Sequence, residues 1–142
     1  YHARSFGSSL GNIAAQLTPQ GRWALSTLHI NTGLTRSQKA QLKTQLLACG
    51  IAWSGVWHQS FSSVEPPSIF ENAGLEIQRI DDLTESVLAG FALAIAHRKQ
   101  SLSLSDQLHP AWWKLSLTAR LCRSLVASGK VRYVLISGEK SA

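Results

Sequence analysis

No methionine occurs in the chain, not even at position 1. A chain without its initiator is expected to be a processed chain, an excised domain or a chain whose start lies elsewhere. Tyr1-His2-Ala3-Arg4 lacks the charged start, apolar stretch and small-residue cleavage site of a signal peptide, and a cytoplasmic location is expected. No apolar run approaches the ~20 residues that span a bilayer, so no transmembrane segment is expected. Two cysteines cannot build the disulfide framework of a small secreted domain. His2, His29, His58, His97 and His109 include no pair at His-x-x-x-His spacing, and there is no Cys-x-x-Cys. No metal site and no cofactor is therefore expected. The nucleophile elbow Gly-x-Ser-x-Gly, the phosphate loop Gly-x-x-x-x-Gly-Lys and the dinucleotide fingerprint Gly-x-Gly-x-x-Gly are all missing.

Acidic residues are also absent from a long stretch. The first is Glu65, whereas Arg4, Arg22, Arg36, Lys39 and Lys43 precede it. Most of the net charge of +6 thus sits in residues 1–64, and the rest of the chain is close to neutral. Such asymmetry favours an acidic partner, although five charges over that length are sparse beside a dense basic tract.

What is present suits one folded domain. The chain has 142 residues, of which 44% are apolar, enough for a real core. Residues 1–22 are rich in Ser, Gly, Gln and Asn and read as an N-terminal arm or linker. Residues 23–137 read as a single α/β domain, and 138–142 as a C-terminal tail.

Within the domain, Trp23 to Ile30 has the pattern of a strand. Thr35 and Gln38 form a Thr-x-x-Gln capping box at the start of a helix, and Leu42, Leu46 and Cys49 share one of its faces. Gly50 is the natural stop. Ile51 to Phe61 alternates as a second strand, with Trp53 and Trp57 on one face. Leu75 to Ile80 reads as a third strand, and Asp82 as the cap of the next helix. Val87 to Ala96 has no polar side chain and predicts a helix buried nearly all round. A further helix starts near Asp106 or His109, accepts Pro110 in its first turn and ends at Gly129. On it, Leu108, Trp112, Leu115, Ala119, Cys122 and Val126 form one stripe. Trp113, Leu117, Leu121 and Leu125 form another. Val131 to Ser137 is the last strand.

This order predicts an α+β fold: a mixed four-stranded sheet in the ferredoxin-like order βαββαβ with one extra helix. An open doubly wound sheet is the alternative.

Three functions compete. The leading expectation is a non-enzymatic binding or accessory module in a larger assembly. It would engage a protein partner or a second copy of itself through Trp53, Trp57, Trp113 and Leu117. The second is a nucleic-acid-binding domain, with Trp53 and Trp57 stacking bases and Arg22, Trp23, Arg36, Lys39 and Lys43 beside them, against the reading that both tryptophans are core residues packed beneath Phe91 and Trp112. Against it, Leu75 to Ile80 contains no aromatic, unlike the RNA-binding strand consensus. The third is a small enzyme centred on His58 with Ser60, Ser62, Ser63 or Glu65, or on the Asp81/Asp82 pair. A helix cap also explains Asp82. Asn31-Thr32-Gly33 lies between a strand and a helix start, where backbone N–H groups can hold an anion or simply form a turn. Cys49 and Cys122 read as two reduced core thiols, with a redox pair as the other possibility.

Overall fold

The structure, a computed structural model, describes residues 5–58 and 68–141. Its helices and strands are α1 (Phe6–Gln16), β1 (Arg22–Ile30), α2 (Arg36–Ala48), α3 (Ser68–Glu71), β2 (Leu75–Asp82), α4 (Gly90–Gln100), α5 (Leu104–Gln107), α6 (Pro110–Ser128) and β3 (Val131–Lys140). A 3-10 turn covers Trp53–Gly55, and a π turn, Thr84–Ala89, leads into α4.

Three strands make one sheet in the order β1-β3-β2, with both pairs antiparallel. The register sets Leu28 opposite Tyr133 and Ile80 opposite Ile136. A bulge between Ile77 and Arg79 shifts the alternation of β2. Without it, Ile80 would face away from Leu75 and Ile77, whereas all three pack on one cluster.

Alternation along β1 and β3 divides the core between the two faces of the sheet. On one face Trp23, Val134 and Ile136 pack with Phe6, Leu10 and Ala14 of α1, with Phe70 of α3 and with Trp57. On the other, Leu28, Ile30 and Val131 pack with Leu42 and Leu46 of α2 and Leu125 of α6. Both faces are therefore covered by helices.

Local signals explain the helix ends. The Thr35 hydroxyl accepts from Gln38 N at 3.2 Å, and Gln38 Oε1 accepts from Thr35 N at 2.9 Å. Pro110 opens α6 behind a His109 cap, and Gly129, at φ 62°, closes it in the left-handed region.

Several expectations are corrected. Among the described residues the sheet has three strands and not the expected ferredoxin-like four, because Ile51 to His58 makes a 3-10 turn and a single parallel bridge, His29 to Trp57. The remainder of that expected strand, 59–61, lies outside the described residues. Residues 6–16, read as part of an arm, form a helix that buries Phe6, Leu10 and Ala14. The expected tail continues β3, and Lys140 Nζ donates to Ala14 O and Leu17 O, both at 2.9 Å. A cation there satisfies the last carbonyls of α1 and complements its dipole. The apolar run 87–96 is not buried all round: no residue of α4 is fully buried, and Leu93 is 60% exposed. Its alanines and glycine lack polar groups yet add little apolar surface to hide, so α4 packs on α6 while Leu88, in the preceding π turn, reaches the core.

Candidate functional site

The carboxyl end of β1 opens into a cavity of about 390 Å³. The strand delivers Ile30 and the turn Asn31-Thr32-Gly33 to its wall. Gly33 has φ 87°, which lets the chain reverse toward α2 without strain. Asn31 is held from behind: its N–H donates to Lys130 O at 3.0 Å and its Nδ2 to Gly129 O at 2.6 Å. The turn after α6 thereby fixes the turn after β1.

α2 contributes Lys39 and Lys43, one helical turn apart on the same side. The 3-10 turn contributes Trp53, and His58 follows it. Trp57 N donates to Leu28 O at 2.9 Å and Ile30 N donates to Trp57 O at 2.8 Å, which pins this segment beside β1. His58 lies against the Trp53 ring, with centroids 4.4 Å apart, and its Nε2 is 2.7 Å from Trp53 O. A carbonyl only accepts, so Nε2 carries the proton and donates. Lys43 Nζ is 5.0 Å from the Trp53 ring centroid, within cation–π range. The cavity is thus cationic on the α2 side and aromatic on the other. No carboxylate lines it among the described residues.

Of the residues singled out from sequence, Trp53, Lys39, Lys43 and His58 come together here with Asn31, Thr32 and Gly33. The others go elsewhere. Trp57 is 1% exposed and Trp23 is also buried, so the expected aromatic platform is dismantled. Trp23 stacks on Phe70 at 5.6 Å inside the core. Trp113 and Leu117 are exposed on α6, around a small hollow with Ser116 and Arg120. They do not share a surface pocket with Trp53. Arg22 meets Glu139 across β1 and β3 at 3.5 Å, and Arg36 is exposed at the start of α2. Ser60, Ser62, Ser63 and Glu65, proposed beside His58, lie outside the described residues.

Asp81 and Asp82 do not line the cavity. Asp81 pairs with Arg79 at 2.8 Å. Asp82 Oδ1 accepts from Thr84 N at 2.9 Å, and Arg132 lies 3.9 Å from its carboxylate. Partial burial works against charging Asp82, but hydrogen bonds from Thr84 and the charge of Arg132 outweigh it. The net effect holds the carboxyl below its ordinary 3.8. A value lower in the folded state than in the unfolded one adds stability that is present above about pH 4. That stability is lost as pH falls through the folded value. Asp82→Asn is expected to lessen the fall in urea midpoint between about pH 5 and about pH 3. An equal or steeper fall in the variant would contradict this role.

By sequence, no protein-family model and no curated protein matches the chain. Solved structures do match. The fold is methyltransferase-like. A protein described as a sarcosine dimethylglycine methyltransferase, from Galdieria sulphuraria, superposes with a TM-score of 0.73 at 16% identity, over 99% of this chain and 49% of its own. Phosphoethanolamine N-methyltransferase 2 of Haemonchus contortus, solved with S-adenosyl-L-methionine, gives 0.65 at 15% identity, over 99% of this chain and 31% of its own. A cyclopropane synthase of Mycobacterium tuberculosis gives 0.60 at 17% identity, over 95% of this chain and 50% of its own. The chain therefore spans 31–50% of the length of these structures.

That likeness overturns the leading expectation from sequence. The fold is the one these methyltransferases and this synthase share, and it gives no support to a non-enzymatic accessory module. It equally displaces the ferredoxin-like and nucleic-acid-binding readings, and among the described residues Ile51 to His58 forms a 3-10 turn and one bridge in place of the aromatic strand. Among the described residues no helix is long and apolar enough to cross a membrane.

Proposed function

We propose that this chain is the acceptor-binding part of an S-adenosylmethionine-dependent methyltransferase-type enzyme. The observation that carries this reading is the superposition of 95–99% of the chain on methyltransferases and a cyclopropane synthase. The cavity supports it by its lining, because Lys39 and Lys43 stand on one side of it and Trp53 and His58 on the other.

The cavity residues do not fit S-adenosylmethionine itself. Its reactive centre is a sulfonium cation, and two ammonium groups without a carboxylate repel a cation. They suit an acceptor that carries a carboxylate or phosphate. Lys39 and Lys43 then hold the anion, Trp53 offers a flat apolar wall, and Asn31 stays fixed by its bonds to the α6–β3 turn. With Nε2 committed to Trp53 O, His58 keeps a lone pair on Nδ1 and can receive a proton from an acceptor. Methyl transfer from the cofactor is the chemistry such an enzyme supplies. What these residues do is bind and orient the acceptor.

The test measures, in the whole enzyme that carries this chain, S-adenosylhomocysteine release from S-adenosylmethionine with carboxylate- or phosphate-bearing acceptors and their neutral analogues. Release is expected with the anionic acceptors only. Replacing both Lys39 and Lys43 by alanine should raise the acceptor KM by about 10- to 100-fold, the worth of a charge-assisted hydrogen bond or two. The dissociation constant for S-adenosylmethionine should not change. Release with no acceptor of either class, or a cofactor affinity that falls with the lysines, would overturn the reading.

A further inference from the structure

The near-neutral second half of the chain sorts its charges. Six of its eight acids fall within residues 65–85. From Ser86 to Gly129, Arg98, Lys99, Lys114, Arg120 and Arg123 are accompanied by one acid, Asp106. Asp106 is engaged at the start of α5, where its Oδ2 accepts from the Ser103 hydroxyl at 2.7 Å. This stretch builds α4, α5 and α6, so the charge those helices carry is strongly positive.

The same helices present apolar side chains that the core does not take. Leu104 of α5 and Leu108 just after it are 81% and 84% exposed. Trp113, near the start of α6, is exposed as well. These three side chains line one open hollow of about 340 Å³ together with Lys99 and Arg120. Apolar tips and cations therefore share one patch of surface. None of these residues lines the cavity at the end of β1.

We propose that this α5–α6 face is a peripheral membrane-binding surface for bilayers that expose anionic headgroups. Leucine and tryptophan beside lysine and arginine are the composition that lies in a bilayer interface. The leucines and the indole enter the boundary between headgroups and acyl chains. Lys99 and Arg120 reach up along their own stems to the headgroup phosphates and carboxylates. A protein partner fits this face less well. Leucine is under-represented among the residues that carry protein interfaces, and lysine is depleted from them. The binding is to the surface of the bilayer, because among the described residues no helix is long and apolar enough to cross it. It does not depend on what the cavity binds.

The experiment pellets the whole protein that carries this chain with phosphatidylcholine vesicles, with and without about one-third phosphatidylserine. Binding is expected to be at least about 10-fold tighter with phosphatidylserine and to weaken as salt is raised. Lys99→Ala with Arg120→Ala should weaken it about 30-fold, the worth of two charges at an anionic surface. Leu104→Ser with Leu108→Ser should weaken it about 10- to 100-fold. Arg22→Ala with Arg36→Ala removes the same charge from elsewhere and should change binding by less than about 3-fold. All six substituted side chains are exposed, so each variant should keep the wild-type circular dichroism spectrum. No pelleting with phosphatidylserine vesicles would leave an acidic protein as the occupant and overturn the proposal. Equal pelleting without phosphatidylserine, or face variants that bind like the control pair, would also overturn it. A dimer that forms without vesicles and is dissolved by the leucine substitutions would assign the face to a second copy instead.

Discussion

Trp57→Ala is expected to cost about 3–5 kcal/mol of folding stability, the range for truncating a large buried aromatic. The indole is 1% exposed and touches aromatic neighbours on several sides. Phe6 stacks with it at 6.3 Å, Phe70 meets it edge-on at 5.7 Å and His29 at 4.6 Å. These rings come from α1, α3 and β1, so the cavity left by alanine would open between three elements at once. A loss of that size approaches the whole stability of many domains. Urea unfolding followed by circular dichroism is the measurement. Trp113→Ala is the control, because Trp113 is 68% exposed and its removal should change stability by no more than about 0.5 kcal/mol. Equal effects of the two substitutions would contradict the placement of Trp57 in the core.

Gly138→Ala should be about as damaging, through excess volume and not through a void. A Cβ at position 138 would lie 1.8 Å from Glu76 O and 3.0 Å from the Trp23 ring. Neither neighbour is the free end of a flexible chain. Glu76 belongs to β2, so its carbonyl moves only if the β2–β3 pairing moves, and Trp23 stands opposite Gly138 in the β1 register. Overpacking a fixed site costs about 1–3 kcal/mol, and a clash against backbone sits at or above the top of that range. The expected result is a loss of about 3 kcal/mol, seen as a lower urea midpoint with an unchanged slope. A variant as stable as wild type would mean that β2 and β3 do not approach this closely.

The parts of this fold that were legible in sequence are those decided within a few residues. The Thr35/Gln38 box, Pro110 and Gly129 each act on their own backbone, and α2 and α6 begin and end where those residues place them. Ile51 to His58 misleads because Trp53, Gly55 and Trp57 alternate with period two. Yet Trp53 opens a 3-10 turn, and Trp57 is drawn into the aromatic cluster by Phe6 and Phe70, which lie far away in the chain. In α1 a signal was present: Phe6, Leu10 and Ala14 recur at every fourth position. The surrounding serines and glycines hide it, because their low helix propensity is overridden by packing. The bulge after Ile77 leaves no local mark.

The site was legible residue by residue and not as a set. Lys39, Lys43, Trp53, His58 and the Asn31–Gly33 turn were each visible. What joins them is the bridge between His29 and Trp57 and the bond from Asn31 to Gly129. Contacts of that kind span from about 30 to nearly 100 positions, beyond the reach of any periodicity.

β3 also has a mechanical consequence. Its even-numbered Val134 and Ile136 belong to the aromatic cluster, and its odd-numbered Val131 belongs to the cluster beneath α2 and α6. One run of peptide planes is thus the partition between two rooms. A shift of α1 that tilts this partition is passed to the floor of α2 without any chain of touching side chains, because the backbone itself belongs to both. The helix that carries Lys39 and Lys43 rests on this partition through Leu42 and Leu46.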